Sequence, residues 1–201
     1  MVEVRSVLEG HLKPGRHGST VGVPGVVLRE VRARDLVQVG AWRDTVEAVR
    51  GRLASELSLS EAPVPGQSRE GNAVTAFMIG PDKIWVTAPR DRDLYGRLSK
   101  AFRPAEAVVT ELGHSRTVLR IAGANARDVL ARFVAIDLDP ARFVPGSFAN
   151  AGVHGIGCML HYVKDEGGVP VYDLYVPYTF GLSLFDAIAE IAEQWGYELV
   201  G

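Results

Sequence analysis

Residues 113–117, with the sequence GHSRT, place His114 directly before Ser115, a pairing that could serve nucleophilic catalysis. The segment falls one glycine short of the G-x-S-x-G nucleophile elbow, in which a sharp turn from a strand into a helix exposes the serine. The residues that follow Ser115 alternate instead in the manner of a strand. The pattern therefore favours a β-turn between two antiparallel strands over a hydrolase site.

Three other residues, His154, Cys158 and His161, are of types that bind zinc. The surrounding pattern predicts a strand, on which successive side chains point to opposite faces. His154 and Cys158 would then share one face while His161 points to the other, so the three could not meet at one ion. We interpret them as core or surface histidines and a small buried thiol.

Two pairs of acids could act as acid–base pairs or calcium ligands, Asp137 with Asp139 and Asp165 with Glu166. Both pairs lie beside turn residues, where acids commonly serve as turn and cap residues. The sequence also lacks the glycine-rich patterns that bind dinucleotides or nucleotide phosphates. Residue chemistry alone predicts no catalytic, cofactor-binding or metal site in this chain, which favours a protein that works by binding a partner.

The composition is that of an ordinary globular protein, with 201 residues, 47% hydrophobic and 23% charged residues, and a net charge of −2. That charge argues against nucleic-acid binding, and no apolar run approaches the roughly 20 residues of a membrane helix. The single Cys158 excludes an internal disulfide and is typical of a reducing compartment, which predicts a cytoplasmic protein.

Charge is unevenly spread along the chain. Residues 1–105 carry 16 basic and 12 acidic side chains, whereas residues 106–201 carry 6 and 12. This polarity is either an ordinary solvated surface or a sign that the two ends face different partners.

The elements that must position these residues follow from hydrophobic periodicity. Residues 1–25 hold several glycines and no sustained period, which predicts an extended N-terminal arm. Residues 26–201 predict one domain of two pseudo-repeated halves, 26–112 and 113–201, each in the order β-α-β-β-α-β and packed as one unit. Such runs of strands with helices on the sheet faces are typical of an α+β fold. Helices are predicted over 42–57, 91–102, 124–133 and 180–195.

Several motifs occur together in this chain. They include HSRTVLRIAG at 114–123, DLDPARFVPGS at 137–147, YDLYVP at 172–177 and IGPDKIWV at 79–86. In combination they resemble the gamma subunit of heterotetrameric sarcosine oxidase, and the resemblance extends from about residue 26 to the C-terminus. Where that family often has cysteine, before the first Asp-Leu and after Pro-Gly-Ser, this chain has FVAI at 133–136 and Phe148, which argues against thiol chemistry.

The resemblance implies a fold related to the folate-binding domain of the glycine-cleavage T-protein. It also implies a complex with alpha, beta and delta subunits, in which beta carries the demethylating flavin chemistry and alpha the nicotinamide and folate sites. Such a complex would hold FAD, FMN, NAD, tetrahydrofolate and zinc on the other subunits and no cofactor on this chain.

Three functions follow from the sequence as hypotheses. The first is a non-catalytic structural subunit of a sarcosine oxidase-like complex, which performs the oxidative demethylation of sarcosine. The second is a stand-alone folate-binding or one-carbon-transfer module, and the third is a hydrolase that uses Ser115 or His114.

The family motifs contain polar residues that the fold does not obviously need, and we expect these to contact the partner subunits, with residues 1–25 as a third contact. Arg116 and Arg120 should project from one face of their strand, and arginine is favoured at interfaces. The alternative is that these arginines pair with acids inside the chain, for which Asp173 is the candidate. The predicted contact residues are His114, Ser115, Arg116, Arg120, Phe143, Pro145, Gly146 and Ser147.

Overall fold

The computed structural model describes residues 6–11 and 13–201 and divides the chain into two compact units. Ala33–His114 form the first, which we call the five-stranded unit after its sheet. Residues 6–11 and 13–32 together with Ser115–Gly201 form the second, the seven-stranded unit. Each unit has its own mixture of helices and strands, which confirms the predicted α+β class.

The five-stranded unit is an antiparallel sheet in the order β4-β5-β6-β3-β7 with two helices. Helix α1 buries Val49, Leu53 and Leu57 at intervals of four residues and ends at Ser58, which adopts a left-handed conformation. Trp42 was predicted in this helix but precedes it, and its indole donates to the Pro104 carbonyl at 2.9 Å. The elements are β3 (Arg34–Ala41), α1 (Val46–Leu57), β4 (Arg69–Glu70), β5 (Thr75–Met78), β6 (Lys83–Pro89), α2 (Leu94–Ala101) and β7 (Ala107–Glu111), with a 3₁₀ turn at Arg90–Arg92.

The seven-stranded unit has the strand order β1-β12-β2-β8-β11-β10-β9, in which only β12 and β2 are parallel neighbours. Helices α3 and α4 cover one face, where Leu28, Ile121 and Leu174 from the strands meet Leu130 and Ile188 from the helices. The elements are β1 (Gly15–His17), β2 (Val26–Glu30), β8 (Arg116–Ala122), α3 (Ala126–Phe133), β9 (Phe148–Val153), β10 (Ile156–Glu166), β11 (Val169–Pro177), α4 (Gly181–Ala192) and β12 (Tyr197–Val200), with 3₁₀ turns at Tyr178–Phe180 and Glu193–Trp195.

Part of the predicted arm joins this sheet. Strand β1 pairs with β12, and the His17 ring stacks on Tyr197 with 5.0 Å between ring centroids. Just beyond β1, the Ser19 amide donates to the Glu193 carbonyl at 3.0 Å. Residues 15–19 therefore lie along the edge of their own unit, while residues 1–5 and 12 of the predicted arm are outside the described residues.

The division of the chain differs from the predicted halves in two respects. Strand β2, expected in the first half, pairs with β8 and belongs to the seven-stranded sheet. With β2 left out, each half also holds one strand more than the predicted β-α-β-β-α-β order, because β4 and β9 form in segments predicted as loops. Both extra strands are fixed by pairing with a neighbouring strand rather than by a local hydrophobic pattern. Within the described residues, no helix is long and apolar enough to cross a membrane.

Candidate functional site

His114 and Ser115 lie in a turn, as predicted, and strand β8 begins immediately afterwards at Arg116. Strands β7 and β8 belong to different sheets, so the expected pairing of these two strands across the turn is wrong. The Ser115 carbonyl accepts a hydrogen bond from the Tyr178 amide at 3.0 Å. Because no helix follows Ser115, the strand-to-helix geometry of a nucleophile elbow is not formed.

The three candidate zinc ligands do not converge. His154 lies in the two-residue turn between β9 and β10 rather than on the strand, and its φ of 50° is followed by a φ of 80° at Gly155, as in a type I′ hairpin. Cys158 and His161 are buried and lie three residues apart on β10, hence on opposite faces. Among residues 6–11 and 13–201, no group of three His, Cys, Asp or Glu side chains is placed to hold a metal ion.

Three of the four acids predicted to act at turns, Asp137, Asp139 and Asp165, do so, while the side chain of Glu166 lies outside the described structure. Asp137 accepts from the Asp139 amide at 3.1 Å, and Asp139 accepts in turn from the Ala141 amide at 2.8 Å. Asp165 accepts from the Gly168 amide at 2.6 Å in the turn between β10 and β11. These carboxylates organise the loops that carry them.

Two of the four residues predicted as partner contacts in the loop at 143–147 are turned inward, whereas Pro145 is exposed and Gly146 is half-buried. Phe143 is 6% exposed and packs in the core of the seven-stranded unit, with its ring stacked parallel to Tyr162. Ser147 is also buried, and its hydroxyl accepts from the Val144 amide at 3.1 Å. Neither of these side chains offers surface to a partner. Docking at the other predicted positions stays a prediction.

Arg120 is fixed by an acid of the same unit. Its guanidinium donates to both carboxylate oxygens of Asp173, at 2.6 and 2.7 Å, and the two residues face each other across β8 and β11. The Asp173 side chain is only 8% exposed and that of Arg120 19%. This is the alternative considered from the sequence, so Arg120 supports the sheet from within.

The Arg120–Asp173 pair lies on the sheet face opposite α3 and α4, where a cleft of about 500 Å³ opens. Two adjacent rows of side chains form its floor. One row runs from Val27 through Ala122 and Val171 to Lys164, and the other from Val200 through Arg29 to Arg120. Its lining consists of Val27, Arg29, Arg120, Ala122, Gly123, Lys164, Val169, Val171 and Val200.

The cleft is lined by three basic side chains, those of Arg29, Arg120 and Lys164. Arg29 and Arg120 lie directly opposite each other on β2 and β8, an arrangement that is unfavourable for like charges. Asp173 neutralises Arg120 through both oxygens, which leaves the charge of Arg29 without a paired acid among the described residues. Lys164 lies on the far side, three strand spacings or about 14 Å from Arg29 along the sheet.

Sequence reasoning singled out Arg120 but missed Arg29 and Lys164. The alternation of β2 would have placed Arg29 on the same face as Val27, yet only the pairing with β8 sets it opposite Arg120. Lys164 reaches the cleft because a β-bulge after Tyr162 shifts the alternation by one residue. No local signal in the sequence indicates that bulge.

The fold matches a solved structure along most of its length. A chain of the heterotetrameric sarcosine oxidase from Corynebacterium sp. U-96, in complex with pyrrole 2-carboxylate, matches it with a TM-score of 0.73 and 20% identity, over 88% of this chain and 89% of that one. The two chains share a fold. The resemblance predicted from the motifs is thus confirmed at the level of the fold.

A second solved structure has the same fold. The glycine cleavage system aminomethyltransferase T from Bartonella henselae matches with a TM-score of 0.63 and 16% identity, over 88% of this chain and 48% of that one. The present chain therefore spans about half the length of the aminomethyltransferase. No family model matches the chain, and no curated protein matches it.

Proposed function

We propose that this chain is a non-catalytic gamma-type subunit of a sarcosine oxidase-like complex. The observation that carries the proposal is the fold match to a chain of a heterotetrameric sarcosine oxidase, which covers nearly nine-tenths of both chains. In this proposal alpha, beta and delta subunits are its partners, and the oxidative demethylation of sarcosine takes place on partner flavoproteins in the cytoplasm. FAD, FMN, NAD, tetrahydrofolate and zinc are bound by those partners, and the two units of this chain are divergent copies of one pattern.

The chemistry of the chain's own nucleophile candidates supports a non-catalytic role. Burial raises the pKa of the Cys158 thiol to about 11, which is the opposite of what an attacking thiolate needs. Ser115 precedes a strand, so it lacks the helix N-terminus that would stabilise an attacking alkoxide. On the cleft face, Arg120 donates two hydrogen bonds to Asp173 of the same unit, so both oxygens of this carboxylate already accept a hydrogen bond.

The direct test is assembly. The chain should be co-expressed with the products of its neighbouring genes, and the purified material analysed by size-exclusion chromatography with light scattering. We expect a stable complex that contains this chain and at least one flavoprotein and that oxidises sarcosine. A chain that elutes alone at every concentration would contradict the proposal.

The fold match to an aminomethyltransferase supports a second candidate, a stand-alone folate-binding or one-carbon-transfer module. The residues that line the cleft include no aromatic side chain, so the cleft offers no stacking partner for a pterin ring. A thermal-shift assay with tetrahydrofolate or folinic acid separates the candidates. Ligand at about 100 times its Kd should stabilise the chain by roughly 2.7 kcal/mol, and an unchanged melting curve argues against this module.

A further inference from the structure

Strand β7 forms one edge of the five-stranded sheet, so it pairs with β3 on one side only. In an antiparallel pair, residues that bond to the neighbouring strand alternate with residues whose backbone groups point away from it. The Leu112 amide donates to the Leu36 carbonyl at 2.7 Å, and the register places residues 108 and 110 in the same kind of pair. Residues 107, 109 and 111 therefore direct their N–H and C=O groups away from the sheet.

Two of these three residues offer both backbone groups to a further strand. The Ala107 amide is occupied, because it donates to the Arg103 carbonyl at 3.1 Å. The amides and carbonyls of Val109 and Glu111 make no hydrogen bond with any other described residue. An amide and a carbonyl repeated at every second residue are the groups that bind an extended segment of chain.

The other three sheet edges differ from β7. Strands β4 and β1 have only two and three residues. Strand β9 has six, but Phe148 and Asn150, which direct their backbone groups outward, already have contacts within the chain. Long edges are commonly protected by lysine, proline or a bulge, and β7, with the sequence AVVTE and an unbroken register, has none of these. This unprotected edge indicates that β7 is covered in an assembly.

A groove beside β7 offers room for a side chain of the covering segment. It has a volume of about 260 Å³ and lies between the strand and the C-terminal end of α2. Its lining is apolar except for one serine, and consists of Ser99, Phe102, Pro104, Ala107, Val108 and Val109. On the other face of the sheet, the Val108 side chain is 49% exposed. Successive side chains of an added strand would point into the groove and against Val108 in turn.

We propose that β7 docks an extended, apolar segment of a partner subunit, which adds a sixth strand to the five-stranded sheet. The backbone groups of Val109 and Glu111 bind this segment, and one of its apolar side chains fills the groove. A second copy of this chain is a poorer occupant, because an edge of five residues buries far less than the roughly 1,200 Å² that a stable dimer needs. The proposal rests on the proposed function, since the segment belongs to a subunit of the same complex.

The first experiment follows the two amides directly. Hydrogen exchange is measured at residue resolution, by mass spectrometry with electron-transfer fragmentation, in the free chain and in the complex with the co-expressed partner chains. The amides of Val109 and Glu111 should exchange at least roughly 100-fold more slowly in the complex than in the free chain. The matched control is the Thr110 amide, which faces β3 and should be protected in both states.

The second experiment removes one of the amides. Glu111→Pro lacks the outward N–H, and proline is tolerated at an edge position of this kind. It should weaken assembly by roughly tenfold and melt like the wild-type chain, because the Glu111 amide makes no bond inside the described chain. The control Glu111→Ala keeps the amide and should leave the affinity within about twofold of wild type. Equal losses in the two variants would overturn the proposal, because the side chain rather than the backbone would then be the contact.

The outcomes separate this inference from the proposed function. If the wild-type chain forms the complex while the amides of Val109 and Glu111 exchange as fast as in the free chain, the added strand is wrong and the subunit role stands. If the wild-type chain forms no complex, both are wrong. A photoreactive benzoylphenylalanine at position 108 should cross-link to one partner chain, and cross-linking to a second copy of this chain would contradict the choice of occupant.

Discussion

Removing Arg120 should destabilise the seven-stranded unit strongly. It donates two hydrogen bonds to Asp173, at 2.6 and 2.7 Å, and the carboxylate that accepts them belongs to a side chain that is only 8% exposed. Arg120→Leu leaves that charge buried without its counterion, which typically costs about 3–5 kcal/mol. In a chain of this size each kcal/mol lowers Tm by roughly 2–4 °C, so the expected loss is about 6–20 °C.

The measurement is a double-mutant cycle by urea and thermal denaturation. Arg120→Leu, Asp173→Leu and the double variant are compared with wild type, and the double variant should recover most of the loss, because replacing both charges with apolar groups removes the unpaired charge. Arg142→Leu is the matched control, since Arg142 pairs with Asp137 at 2.8 Å but both side chains are more than half exposed. That surface pair should contribute at most about 1 kcal/mol.

The reasoning is refuted if Arg120→Leu costs no more stability than Arg142→Leu. It is also refuted if the single variants are additive, because additivity would mean that the two residues are not coupled. A variant that keeps its stability but loses assembly would restore Arg120 as a direct partner contact.

Three further predictions concern other parts of the chain. Burial raises the pKa of the Cys158 thiol to about 11. At pH 8.5 this thiol should therefore react with iodoacetamide on the order of 100-fold more slowly in the folded chain than in urea. Equal rates would show that the thiolate is exposed. Hydrogen bonds from the side chain and backbone of Arg103 lower the pKa of Glu106 from its ordinary 4.5 to about 2, so its stabilising effect is full above pH 4.5 and is lost as the pH falls towards 2. Glu106→Gln should flatten that part of the acid-denaturation curve, and an unchanged curve would contradict the assignment. Gly18→Val should release β1 from β12, because the new Cβ would lie 2.6 Å from the Glu193 Cα. The control is Gly22→Val, since Gly22 has a similar positive φ but open space around it. Equal rates of proteolysis of the two variants would argue against docking of this segment.

Local patterns predicted the helices of the seven-stranded unit well. The period of Ala126, Val129, Leu130 and Phe133 predicts α3, and all four residues are buried in it. Helix α4 was predicted over a longer range than it has, because Trp195 continues the apolar stripe into a 3₁₀ turn. Periodicity reports which side chains face the core, and Trp195 packs against that core, partly buried, from a 3₁₀ turn.

The pairing of strands was harder to predict from the sequence. The segment FANAGV of β9 has little of the apolar alternation that marks a strand, and its conformation depends on six paired residues of β10. Strand β2 belongs to the seven-stranded sheet because it pairs with β8, which lies about 90 residues later in the chain. Sequence patterns of one strand do not specify its neighbours, so the division of the chain into units could not be derived from them.

At the candidate site, too, the role of a residue depends on cross-strand neighbours that the sequence does not specify. Arg120 was identified because it stands in a motif and alternates with apolar residues, but its role depends on which residue lies opposite. With Asp173 across β11 it is an internal ion pair, and with Arg29 across β2 it lines the cleft. The motif residue that was expected to bind a partner is therefore held by an acid of its own unit. The two hydrogen bonds from Arg120 occupy both carboxylate oxygens of Asp173, whereas Arg29 has no paired acid among the described residues.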